Sequence, residues 1–195
     1  MTARIAAACW AVAGVAYLGL EAVAAAGYPG YRYATNFISD LGRPDSPLSL
    51  LMNTAFVVQG TLFLAAAVAL ARANRGRSSG LFVACAAANA VGNVVVATVP
   101  SGGAGIAWVH VSAAAVAIVG GNAAILAGHG MVSECRWYRL TSVGFAALGF
   151  VAFGVLAVGA VTTSTVVLPG AVWERTCVYT IIGWQLLSAV RLLRR

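Results

Sequence analysis

Lysine is absent from this 195-residue chain, and only five acidic residues stand against twelve arginines. Charged residues make up 9% of the sequence, where soluble domains carry about 25%. A chain that is 61% hydrophobic exposes more apolar surface than a core of this size can bury, so its solvent is lipid. Histidine is nearly missing: His110 and His129 are the two. A zinc site needs about four ligands, which argues against a histidine-rich zinc hydrolase, so neither metal nor cofactor is expected. Cys9, Cys85, Cys135 and Cys177 have no C-x-x-C spacing, and no disulfide or redox pair is expected. There is no broad basic face with interleaved aromatics, which excludes nucleic acid as a partner. No polar stretch is long enough to be a linker, so 1–195 reads as one domain. No internal repeat suggests the inverted symmetry of many transporters.

What the chain does have is apolar runs. A bilayer core about 30 Å thick needs about 20 apolar residues in a helix. Six segments qualify, near Ile5–Ala26, Leu48–Ala71, Gly80–Val99, Ile106–Ala127, Leu140–Ala160 and Val172–Val190. The expected fold is all-α, a polytopic membrane bundle of six transmembrane helices. Ser46-Pro47 reads as an N-cap and first-turn proline for the second helix. Pro100-Ser101-Gly102-Gly103 closes the third, and Pro169-Gly170 precedes the sixth.

Six spans place Arg4, Arg72, Arg75, Arg77, Arg136, Arg139, Arg191, Arg194 and Arg195 on one side, nine of the twelve arginines. The positive-inside rule makes that side cytoplasmic, with both termini, and predicts a multi-pass protein of the plasma membrane. Arg4, the apolar run after it and Ala24-Ala25-Ala26 also resemble a signal peptide. The run exceeds the usual h-region, however, and Glu21 interrupts the cleavage zone, so a retained first helix is expected.

Polar groups crowd toward the opposite, outer end. Of the five acidic residues only Glu134 is on the inner side; Glu21, Asp40, Asp45 and Glu174 are outer. Asn53 lies one turn into the second helix and His110 one turn into the fourth. Asn89 and Asn93, four apart, share a helix face. The loop from Tyr31 to Leu48 is too polar to span and too apolar to be plainly solvated. Phe37, Ile38 and Leu41 call for burial; Asn36, Ser39 and Asp40 call for hydrogen bonds. A short re-entrant or interfacial piece answers both demands, with Gly42 turning the chain toward the second helix. Tyr28, Tyr31, Trp108 and Trp173 suit an aromatic belt.

The string Asn36-x-Ile38-Ser39-Asp40-Leu41-Gly42, with Ser46-Pro47 and Asn53, resembles the signature of a family of bacterial and archaeal membrane proteins catalogued as domain of unknown function 998. His110 early in helix four, Gly170-x-x-x-Glu174-Arg175 and Trp184 fit the same resemblance, which covers essentially the whole chain. A more distant likeness links the loop to eukaryotic six-helix proteins of the Frag1/DRAM/Sfk1 type, associated with lipid remodelling. Their Pro-Glu after the loop stands here as Pro44-Asp45. Neither resemblance implies an established reaction.

The main constellation is Asp40 with Arg175 or Arg32, read either as an ion pair pinning the loop or as a base beside an anion clamp. Asp40 and His110 are the candidate catalytic residues; Arg32, Asn36, Ser39, Arg43, Asn53, Glu174, Arg175 and Tyr179 are the candidate substrate-binding residues. Ser39 has no G-x-S-x-G elbow and reads better as a turn cap than a nucleophile. Glu21 is expected to face the bundle, either paired with Arg32 or Arg43 at the helix end or as part of an ion path. Three functions compete. The first is binding or remodelling of membrane lipid through a polar pocket at the outer face. The second is an accessory or assembly role with membrane protein partners. The third is a small-solute or proton pathway through Glu21, Gln59, Asn89 and Asn93.

Overall fold

The computed structural model describes residues 2–74, 77–101 and 106–194; Arg75, Arg195 and the Gly102-Gly103 pair lie outside them. Six helices form: α1 (Thr2–Ala26), α2 (Ser49–Ala73), α3 (Arg77–Thr98), α4 (Ala107–Val132), α5 (Arg136–Thr162) and α6 (Gly170–Leu193). Among the described residues there is no strand. Each helix is long and apolar enough to cross a membrane, which makes this a multi-pass integral membrane protein.

Two boundaries depart from expectation. α5 begins at Arg136 rather than Leu140 because Trp137 and Tyr138 extend the helix past its most apolar stretch. α2 begins at Ser49, with Leu48 at its N-cap. Ser46 does not cap it; its carbonyl accepts the N–H of Ser49 at 3.2 Å and its buried hydroxyl has no partner.

α1, α2, α3, α4 and α6 close into a ring by successive contacts, and α5 packs outside it against α4 and α6. α5 is accordingly the least buried helix, and α6 is the least apolar of the six. Lipid offers no hydrophobic drive between helices, so association rests on close packing and polar links. The α3–α4 seam shows the first. A Cβ on Gly92 would stand 2.5 Å from the Ala113 carbonyl oxygen, and one on Gly120 2.8 Å from the Asn89 nitrogen. α6 shows the second. Gln185 Nε2 donates to the Trp10 carbonyl at 3.4 Å, while Gln59 Nε2 donates to Gln185 Oε1 at 2.5 Å. Asn122 Nδ2 reaches the Cys177 carbonyl at 3.3 Å, and Thr180 donates to Asn122 Oδ1 at 3.1 Å. Trp184 Nε1 donates to Ser142 at 3.1 Å, and Tyr138 bonds Ser188 at 2.7 Å. Around Trp10, Phe63 and Trp184 the rings pack at 5.0 to 6.3 Å between centroids.

The close α3–α4 approach makes a graded prediction. Gly92→Ala forces backbone apart and should destabilise by about 1–3 kcal/mol. Gly19→Ala, where a Cβ meets nothing within 4 Å, should be neutral. Thermal unfolding of both variants in detergent measures the contrast.

Candidate functional site

The chain between α1 and α2 folds over one end of the bundle. Its centre is a short 3₁₀ helix, Ile38–Gly42, with Phe37 at the N-cap. Asp40, third in that helix, turns back to accept the Phe37 N–H on Oδ2 at 2.8 Å. The Asp40 N–H in turn donates to the Phe37 carbonyl at 3.2 Å, so the two residues close the turn reciprocally. Ile38 and Leu41 are buried and anchor the piece in the core. Asn53 Nδ2 donates to the Gly42 carbonyl at 3.0 Å and ties the exit to α2. Phe37 departs from expectation: it is 38% exposed, lying over Gly170 rather than inside the bundle.

Arg175 holds this loop down. Its Nη1 donates to the carbonyls of Tyr33 (2.6 Å), Asn36 (2.7 Å) and Ala171 (3.3 Å). Its Nη2 donates to the Tyr31 hydroxyl, which itself donates to the Phe37 carbonyl at 2.9 Å. The guanidinium sits 4.9 Å from the Tyr33 ring centroid and 5.6 Å from that of Tyr31, within cation–π range. Its Nε lies 3.5 Å from Glu21 Oε1, near enough for an ion pair but without hydrogen-bond alignment. Tyr179 donates to both Glu21 oxygens at 2.9 Å. Glu174, one residue before Arg175, accepts the Ile38 N–H on Oε2 at 2.6 Å.

Two expected pairings are therefore corrected. Asp40 pairs with neither Arg175 nor Arg32; its carboxylate caps its own turn and lies 4.0 Å from Arg43. Glu21 pairs with Arg175, not with Arg32 or Arg43. The reason is placement. Arg32 is exposed and Arg43 binds Asp45 at 3.0 Å on the outer side of the loop. Arg175 sits beneath the loop, within reach of α1. Asn36 serves through its backbone carbonyl, while its Oδ1 accepts the Arg32 N–H at 3.1 Å. His110 stands apart from this cluster. Its Nδ1 bonds the Val99 carbonyl at 2.6 Å, joining the start of α4 to the end of α3, and its buried Nε2 has no partner. No contact among the described residues joins His110 to Asp40.

Below the 3₁₀ helix lies a cavity of about 50 Å³ inside the helix ring. Its polar lining is Tyr17, Ser39, Gln59, Asn89, Asn93 and Glu174. The helices reach it with regular stripes. Glu174, Val178, Ile181 and Ile182 on α6, and Asn89, Asn93 and Val96 on α3, recur every three or four residues. Sequence reasoning missed Tyr17, although its position four before Glu21 on one helix face was a usable signal. It missed Gln185 as the partner of Gln59, for which no spacing rule exists.

A family model described as "Protein of unknown function (DUF998)" matches residues 4–191. The chain belongs to this family. No curated protein matches it, and no solved structure does. The match spans the loop and all six helices, so the DUF998 region contains both the Arg175 clamp and the cavity beneath it.

Burial raises the phenol pKa of Tyr31 and of Tyr33, with the Arg175 charge opposing it. The sign follows from linkage. An ordinary phenol ionises near pH 10, and the docked one holds its proton longer, so the loop's contribution is intact below about pH 10 and is lost as pH rises further. Unfolding midpoints from pH 8 upward should fall more steeply in wild type than in Tyr31→Phe above about pH 10. Equal slopes would show that Tyr31 does not couple the loop to pH.

Proposed function

We propose that this DUF998 protein binds a small polar solute in the cavity between its helices, under the loop held by Arg175. One observation carries the reading. Gln59, Asn89, Asn93 and Glu174, polar groups from three different helices, line one cavity. Polar side chains at membrane depth are expensive and gather where they serve a site. Size sets the ligand class. A water needs roughly 10–15 Å³ of such volume, so about 50 Å³ takes a few water-sized particles and no phospholipid headgroup. The arginine distribution supports a plasma-membrane orientation with both termini cytoplasmic, which puts the loop and cavity toward the outer side.

Asp40 and His110 contribute to this reading only as supports, Asp40 by closing the loop's turn and His110 by joining α3 to α4. Ser39 and Glu174 line the cavity themselves. Arg175 and Tyr179 keep the loop and Glu21 in place.

The test uses a chosen panel: sodium, potassium, ammonium, urea, formamide and glycerol. At least one member should raise the unfolding midpoint of the nanodisc-embedded protein saturably. Ala114→Leu, which places a larger side chain into the cavity lining, should remove that response. A panel with no responder overturns the reading.

A second reading, lipid binding, has its own supporting observation. A groove of about 550 Å³ runs between α5 and α6, lined by Phe145 and Leu148 of α5, by Val172, Arg175 and Tyr179 of α6, and by Tyr33 of the loop. Its amphipathic lining suits an acyl chain with the headgroup beside the tyrosines. Mass spectrometry of lipids co-purified with wild type and with Leu148→Trp tests it. A specific lipid depleted in the variant supports groove binding; identical lipid profiles refute it.

A further inference from the structure

The cavity's polar groups are not turned at random. Asn89 Nδ2 donates to the Ala117 carbonyl at 2.8 Å, and Asn93 Nδ2 donates to the Asn89 carbonyl at 2.9 Å. Gln59 Nε2 donates to Gln185 Oε1, whose own amide is oriented by its bond to the Trp10 carbonyl. A carbonyl acceptor can face only the NH₂ end of an amide, so these orientations follow from chemistry. Each of these amide nitrogens spends one of its two N–H groups on protein.

The oxygens are left over. Asn89 is 3% exposed, and its Oδ1 is buried with no hydrogen-bond partner. Asn93 Oδ1 receives no hydrogen bond among the described residues. Tyr17 and Ser39 add hydroxyl oxygens to the lining. Glu174 adds a carboxylate that accepts the Ile38 N–H and makes no contact ion pair among the described residues, although the Arg175 charge lies near enough to act on it. An ionised carboxylate beside hydrocarbon needs a compensating charge. The cavity lining thus offers unpartnered amide oxygens and a carboxyl group, and no basic side chain.

We infer that the cavity is a binding site for a small monovalent cation, coordinated by Asn89 Oδ1, Asn93 Oδ1 and the Glu174 carboxylate. This rests on the reading that the cavity is the functional site, and it names the ligand class. Amide and carboxylate oxygens suit hard cations that prefer oxygen ligands. Sodium, potassium and ammonium share this chemistry and fit about 50 Å³ with at most a water or two. Choline, whose methyl groups keep its charge away from oxygen ligands, serves as the reference cation.

The full-length protein in nanodiscs of zwitterionic lipid distinguishes the sources. Each chloride salt replaces choline chloride at constant ionic strength, and the unfolding midpoint is followed. One or more of the three small cations should raise it saturably while choline does nothing. Glu174→Gln keeps an oxygen for the Ile38 N–H, so the fold and loop persist, but the cation response should vanish. Asn89→Leu should weaken apparent affinity by roughly tenfold or more through loss of a coordinating oxygen. A midpoint that tracks ionic strength or pH alone, or a Glu174→Gln protein that responds like wild type, overturns the proposal. If only urea, formamide or glycerol stabilises the protein, the cavity remains a solute site and the cation assignment falls. If nothing does, both fall.

Discussion

A guanidinium placed beside hydrocarbon must be surrounded by compensating groups, and the loop-capped end of this protein is organised by that demand at Arg175. Three carbonyls, a phenol, two aromatic faces and the Glu21 carboxylate converge on one side chain. They come from α1, α6 and the connecting loop, so satisfying the charge also docks the loop. Lysine would be a poor substitute, since a point charge lacks the planar fork that reaches separate acceptors. The loop in turn supplies Ile38 and Ser39 to the roof of the cavity. The neighbouring carboxylate, Glu174, is held by the Ile38 N–H instead of a contact ion pair.

This division of charge also sets the bracing groups apart from most of the cavity lining. Arg175 and Glu21 neutralise each other, and Asp40 is spent on its own turn. Exposed Arg32 and half-buried Arg43, the latter bound to Asp45, take no part in the cavity lining. What faces the interior is a set of amides, each with one N–H bonded into the helix walls. The bundle is sealed by hydrogen bonds in its walls, and the same bonds decide which atoms the cavity presents.

The six helices were legible because lipid imposes a length and a composition on every span, and the runs in this chain meet both. The crowding of polar groups at one end was legible for a similar reason, since rare charges in an apolar chain are conspicuous. Partners were harder. Nothing in local spacing distinguishes Arg175 from Arg32 or Arg43 as the mate of Glu21, because the choice depends on which arginine lies under the folded loop. Asp40 was read as a long-range group although it sits three residues after Phe37, the spacing of a local cap. His110 was grouped with the loop by its depth along α4, but depth says nothing about which helix it faces. The cavity was half visible: Gln59, Asn89 and Asn93 appeared as one polar route, while Glu174 was grouped with the separate outer-face binding residues and Tyr17 went unnoticed.

The interlocked glutamines near the middle of α2 and α6 carry a mechanical consequence. Sliding either helix by a single turn, about 5.4 Å, would strip two amides of their mates and leave them facing hydrocarbon. Gln59 and Gln185 therefore act as a depth gauge, setting how far α6 is inserted relative to α2. Any motion that admits an occupant must then hinge or tilt at the loop-capped end, because a piston stroke of α6 is blocked at its centre.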